Sequence, residues 1–74
     1  MAAVSDTTAV EKIGKIAGEV WHLLDTKGPK KVTQLVKEID APRDQVMQAL
    51  GWLAREEKIV IEEQSRSRVV SLVE

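Results

Sequence analysis

The 74-residue chain contains no cysteine, tyrosine, phenylalanine or asparagine, and it has a single histidine. Without thiols there is no material for disulfides, thiolate nucleophiles or cysteine-based zinc sites, and one imidazole alone makes a poor transition-metal site. The missing asparagine excludes N-glycosylation. The sequence therefore predicts a protein that is not an enzyme and that needs neither a metal nor a cofactor.

Neither a basic excess nor a long apolar run is present. Eleven basic and twelve acidic residues give a net charge of −1, whereas nucleic-acid-binding domains usually carry a clear basic excess. Any DNA binding must therefore depend on a local basic patch. No apolar stretch approaches the roughly 20 residues of a membrane helix, and the N-terminus lacks the features of a secretory signal. Together with the absence of cysteine, this predicts a cytoplasmic protein with no membrane partner.

The length of the chain predicts one small globular domain. A domain of this size buries only roughly 60% of the surface that its unfolded chain exposes, so a second subunit would add stability. We therefore expect a homodimer. Residues 1–7 show no structural period and are predicted to form a flexible N-terminal tail, which leaves residues 8–74 for the domain.

The first helix is predicted to begin at Thr8, because Thr8 and Glu11 have the spacing of a capping box. Its C-terminal stop is the sequence Lys27-Gly28-Pro29. Apolar residues recur at steps of three and four residues between these ends, which predicts an amphipathic helix of about five turns. The predicted inner face consists of Val10, Ile13, Ala17, Val20 and Leu24, widened by Ile16 and Leu23.

Two further helices are predicted. Thr33 is the expected N-cap of a short helix over residues 34–39, and Pro42 suits the first position of the next helix, with Asp44 in its first turn. That third helix extends to about residue 56. Its expected core positions keep the same helical period and are Val46, Ala49, Leu50 and Leu53.

Two β-prone segments follow the helices. Ile59-Val60-Ile61 and residues 69–73 are rich in β-branched side chains, and the short polar stretch 64–67 separates them. This pattern predicts a hairpin. The fold class is therefore mainly α with a small β-hairpin (α+β), and a third short strand near residues 30–32 is a further possibility.

This order of elements resembles a winged helix-turn-helix domain. Residues 32–36, the break at 40–43 and residues 46–59 resemble the turn, the recognition helix and the first wing strand of such domains. More narrowly, Gly18-Glu19-Val20-Trp21 and residues 49–54 resemble a small group of stand-alone prokaryotic winged-helix proteins of uncharacterised function. The resemblance covers nearly the whole chain. It implies a DNA-binding module of the transcription-regulator type, although many winged helices bind only protein.

Recognition helices place their N-terminal outer face against base edges in the major groove. At 100° per residue, Gln48 lies opposite the core position Val46 and Gln45 lies on one flank. A glutamine amide can pair with adenine in two hydrogen bonds, so Gln45 and Gln48 are the predicted base contacts. The alternative is that both are ordinary solvated side chains.

Basic residues cluster around the predicted turn and at the wing tip. Five basic and two acidic residues lie in the segment 26–43, and two arginines flank Ser67. These cations are positioned to hold DNA phosphates on both sides of a groove, although lysines on a short helix can also be a plain solvated face. The predicted phosphate contacts are Lys30, Lys31, Lys37, Arg43, Arg66 and Arg68.

Gly14 and Gly18 are four residues apart in the first helix, a spacing that allows another backbone to approach closely. Each glycine costs a helix roughly 1 kcal/mol relative to alanine, so a contact should offset the loss. Either a helix of the same chain or the first helix of a second subunit packs there. Trp21, one turn further on, is the natural anchor of such a contact, or else a core residue. Trp52 is expected beneath the wing.

Two functions remain open on the sequence alone. The first is a small winged-helix protein that binds duplex DNA and acts as a transcription regulator or accessory factor. The second is a winged-helix module for protein–protein interaction or dimerisation that does not bind DNA; near-neutral charge and the acidic end of the third helix favour it.

Overall fold

Three helices and three short strands make up the computed structural model, which describes residues 2–73, with side chains described for residues 9–73. The strand near residues 30–32 is present, and the predicted order of three helices and a hairpin is confirmed. The elements are α1 (Ala2–Lys27), β1 (Lys30–Lys31), α2 (Val32–Glu38), α3 (Arg43–Arg55), β2 (Ile59–Glu63) and β3 (Arg68–Leu72).

The three strands form one antiparallel sheet in the order β1-β3-β2. On one side of β3, Val70 pairs with Lys30 of β1, and on the other side it pairs with Ile61 of β2. The hairpin closes where the Gln64 amide donates a 2.8 Å hydrogen bond to the Ser67 carbonyl. The central strand thus joins the wing to the start of the helix-turn-helix unit.

Among the described residues, one hydrophobic core lies between the helices and the sheet. The predicted inner face of α3 is confirmed, because all four of its expected core residues are buried. In the short helix Leu35 is fully buried, and Val70 of β3 closes the core from the sheet side. The core residues are Ile16, Ala17, Val20, Leu24, Val32, Leu35, Ile39, Val46, Ala49, Leu50, Leu53, Ile59 and Val70.

The first half of α1 extends beyond this core. A helix of 26 residues is about 39 Å long, against about 20 Å for the 13 residues of α3. The described α1 residues in the core all lie between Ile16 and Leu24. Val10, predicted to face inward, is 55% exposed, and Ile13 is only half-buried. The apolar stripe is helical as predicted, but its residues Val10 and Ile13 lie outside the buried core of the described residues.

The predicted start of α1 at Thr8 is wrong. The helix begins at Ala2, so Thr8 lies well inside it and cannot act as its N-cap. Alanine has the highest helix propensity, and the sequence contains no proline or glycine before Gly14 that would stop a helix. The predicted end is confirmed: Gly28 has φ 82°, and its amide donates a 2.9 Å hydrogen bond to the Leu24 carbonyl.

The two predicted starts of the shorter helices are each displaced by one or two residues. Lys31, not Thr33, is the N-cap of α2; pairing with β3 holds its backbone extended, and its amide donates to Gln34 Oε1 at 3.0 Å. Pro42 is the N-cap of α3 rather than its first helical residue. Its carbonyl accepts hydrogen bonds from the amides of Gln45 and Val46. Proline fits this position because the helix does not require an amide hydrogen from its N-cap residue.

The C-terminus of α3 contains a strained residue. Glu57 has φ 59°, in the left-handed region that normally favours glycine. The Glu57 amide donates to the Ala54 carbonyl and the Lys58 amide donates to the Leu53 carbonyl, which is the Schellman arrangement. The chain adopts this turn because it must reverse at once into β2.

Within residues 2–73, no helix combines the length and the apolar content that crossing a bilayer requires. The longest helix, α1, carries charged residues along its described part, among them Glu11, Lys12, Lys15 and Glu19.

Replacing Glu57 with glycine should raise the free energy of unfolding by about 1 kcal/mol, because glycine adopts the left-handed conformation without a steric cost. Urea denaturation of the purified protein measures the difference. Glu56→Gly is the matched control, since it removes the same charge at a residue with φ −78°, and it should lower stability. Equal effects of the two substitutions would show that charge, not backbone strain, decides the outcome.

Candidate nucleic-acid interface

Four basic side chains from three separate segments of the chain line one small cavity of about 120 Å³. We call this the basic cavity. None of its lining residues is acidic, within the part of the chain that the structure describes. The lining residues are Lys31, Val32, Thr33, Arg43, Arg66, Ser67 and Arg68.

The fold explains why these residues meet. Lys31 pairs with Val69 across the β1–β3 ladder, so it lies beside Arg68 near the wing tip. Strand β2 leaves the C-terminal end of α3 and runs back along the molecule, so the wing tip with Arg66 returns to the N-terminal end of α3. Arg43, the first residue of α3, therefore lies on the same cavity.

The chemistry of the basic cavity suits a phosphate group. Among the side chains of residues 9–73, no carboxylate lies within ion-pair distance of its four cations. Like charges held together repel, and a bound anion removes that repulsion. The planar guanidinium fork of arginine matches phosphate oxygens, and the hydroxyls of Thr33 and Ser67 are further hydrogen-bond donors.

Two predicted phosphate contacts lie elsewhere. Lys30 Nζ is 3.0 Å from Glu38 Oε2, and its side chain is only 19% exposed. Lys27 Nζ lies 3.5 Å from the other oxygen of the same carboxylate. The hydrogen bond from Lys30, aided by the charges of both lysines, holds the pKa of Glu38 below its ordinary value, although desolvation opposes the shift. Lys37 is exposed in the last turn of α2 and does not line the basic cavity.

The outer face of α3 presents Asp44 and Gln48 to solvent. Both are exposed, they are one helical turn apart, and they lie opposite the buried residue Val46. Gln45 is placed differently: it is half-buried and lines a shallow groove against α1 that includes Lys12. Of the two predicted base contacts, Gln48 alone shares the outer face that begins beside the basic cavity.

The two glycines of α1 have open space beside them. A methyl group built at Gly14 or Gly18 would meet nothing within 4 Å, so the expectation that a helix of the same chain packs there is wrong. Trp21 is 41% exposed and lines a shallow groove with Leu72 and Val73 at the end of the sheet. The core role considered for Trp21 is therefore also wrong.

Trp52 is not buried beneath the wing. Its side chain is 48% exposed, so the predicted position is wrong. The helical period placed Trp52 on the flank of α3 correctly, but the wing leans toward the N-terminal end of that helix, where Arg43 meets Arg66 and Arg68.

Sequence reasoning missed two hydroxyl residues of the cavity. Thr33 was expected to serve as a helix cap, but it lies in the first turn of α2, two residues after β1. Ser67 lies between two arginines at the wing tip. That flanking charge is the signal that identifies Ser67 as a site residue.

The comparisons with known proteins agree with this architecture. A family model described as "Winged helix-turn-helix domain (DUF2582)" matches residues 8–72. The uncharacterised protein MJ1608 of Methanocaldococcus jannaschii is 33% identical over 63 residues, which are 82% of this chain and 90% of that protein.

Solved structures show the same fold. Protein BT2368 of Bacteroides thetaiotaomicron, determined by solution NMR, is 31% identical with a TM-score of 0.74, over 84% of this chain and 76% of that one. A transcriptional regulator of the ArsR family, RHA00566, has a TM-score of 0.65 at 21% identity, over 90% of this chain and 73% of that one. At that identity the second likeness shows the fold alone. The fold is one typical of non-enzymatic DNA-binding proteins.

Proposed function

Because the chain belongs to the winged helix-turn-helix family DUF2582, we propose that it binds duplex DNA as a small transcription regulator or accessory factor. The observation that carries the proposal is the basic cavity. It joins four cations from the strand, the recognition helix and the wing at one end of α3. That is the end which a helix-turn-helix protein inserts into the major groove.

Charge along α3 sets the orientation on DNA. The basic cavity lies at the N-terminal end, whereas at the C-terminal end exposed Arg55 and Lys58 balance exposed Glu56 and Glu57. Phosphates are therefore attracted more strongly to the N-terminal end. The N-terminal half of α3 therefore enters the groove, and Gln48 is the base contact that can pair with adenine.

The affinity for random-sequence DNA should be weak and sensitive to salt. The net charge of −1 gives little long-range attraction. Four cations can neutralise at most about four phosphates, and each released counterion lowers log K by about 0.9 per tenfold rise in salt. Lys30 is not part of the proposed contact set because Glu38 already pairs with it.

Reversing the charge of the wing tip tests the proposal. The double variant Arg66→Glu/Arg68→Glu should lose at least about tenfold in affinity for a labelled random-sequence duplex at low salt, measured by fluorescence anisotropy. The matched control is Lys12→Glu/Lys15→Glu, which makes the same change of net charge on exposed residues of α1. The control should stay within about threefold of wild type if binding is local to the cavity.

Two results would contradict the proposal. One is an equal loss in both double variants, which would mean that only net charge matters. The other is the absence of any binding by the folded wild-type protein at low salt. The protein-interaction alternative would then replace it. Circular dichroism of each variant is the control that the fold is intact.

The proposal includes a homodimer joined by α1, since DNA-binding winged helices gain a second recognition helix in this way. Val10 and Trp21 are exposed and lie 11 residues apart, or about 16.5 Å along the helix. Their midpoint falls between Gly14 and Gly18, where α1 has open space. An antiparallel contact about a two-fold axis at that point places each Trp21 near Val10 of the second copy, a self-complementary arrangement.

Trp21→Asp should convert the dimer into a monomer. In sedimentation equilibrium the wild-type protein should show twice the 8.2 kDa mass of one chain, and the variant should show a single mass. Trp52→Asp is the control, because Trp52 is similarly exposed on another helix, and it should remain a dimer. A wild-type protein that stays monomeric at every concentration would rule out the α1 contact.

A further inference from the structure

An acidic residue lies beside the basic cavity at the start of α3. Asp44 is exposed in the first turn of the helix, directly after Arg43 of the basic cavity. A carboxylate in this place repels the DNA backbone. Its favourable interaction with the helix dipole explains a gain in stability, but it does not explain why the carboxylate lies on the face that meets the bases.

The hydrogen-bonding chemistry of a carboxylate is restrictive. An ionised aspartate only accepts hydrogen bonds. In the major groove the amino group of cytosine is a donor that aspartate can use, whereas guanine N7 and O6 and thymine O4 are acceptors that repel it. Adenine also has an amino donor, but its neighbouring N7 acceptor repels a carboxylate, so cytosine is the better partner. Asp44 can therefore select a base both by attraction and by exclusion.

Asp44 and Gln48 also have a fixed spacing. They lie four residues apart on the outer face, which is about 6 Å along the helix axis. Successive nucleotides of one strand are about 3.4 Å apart. The two side chains therefore reach base pairs that are one or two steps apart, not the same base pair.

From this geometry we infer that Asp44 is a specificity-determining residue that selects cytosine, one or two base pairs from the adenine bound by Gln48. The inference rests on the proposed DNA binding and adds to it the kind of site that is bound. The basic cavity supplies affinity through phosphates, while Asp44 and Gln48 supply the choice of bases.

The test is selection of bound duplexes from a random pool by the wild-type protein and by Asp44→Asn, followed by affinity measurements on the selected site with each base at the Asp44 position. The wild-type protein should prefer cytosine there by about 5- to 150-fold over the other bases. Asparagine has a donor as well as acceptors and pairs with adenine. The variant should therefore select adenine at that one position.

Asp40→Asn is the matched control, because Asp40 is an exposed acidic residue in the α2–α3 turn that lines the groove against α1. Its loss of one negative charge should raise the affinity for all duplexes slightly and leave the selected bases unchanged. If Asp44→Asn behaves in the same way, Asp44 acts only on the helix terminus and the inference is wrong. If the wild-type protein retains no duplex at all, the proposed function fails together with the inference.

Discussion

The central position of β3 is the constraint on which the rest of the structure depends. Its residue Val70 is fully buried and pairs on one side with β1 and on the other with β2. This pairing holds Lys31 extended, so α2 begins where the strand ends, and it fixes the wing against the helix-turn-helix unit. The basic cavity exists because β3 brings Lys31, Arg66 and Arg68 to the N-terminal end of α3.

A chain with almost no net charge can still present a polyanion with a favourable surface if its charges are separated in space. Here four cations gather at the N-terminal end of α3, whereas at its other end Arg55 and Lys58 balance Glu56 and Glu57. The Glu38 carboxylate forms ion pairs with Lys27 and Lys30, away from the basic cavity. The charge distribution thus favours the proposed orientation on DNA, which the net charge of −1 conceals.

The sequence predicted what depends on local periodicity: the order of elements, the buried stripe of α3 and the stop at Gly28. The sequence-based prediction was wrong where a local capping pattern competes with a stronger structural preference. The capping pattern at Thr8 was overridden because α1 already begins at Ala2, and the cap expected at Thr33 was overridden by strand pairing at Lys31. For the site, clustering of cations was predictable from composition, but the pairing of Lys30 with Glu38 requires the packing of α1, β1 and α2 in space.

The most direct test of the DNA interface is an NMR titration of the ¹⁵N-labelled protein with a short duplex at low salt. The account predicts that the largest amide shifts occur at Arg43, Gln48, Ser67 and Arg68, and that they disappear when salt is raised. Amides of the exposed glycines of α1 should stay unchanged. Largest shifts along α1, or no shifts at the wing tip and the start of α3, would contradict it.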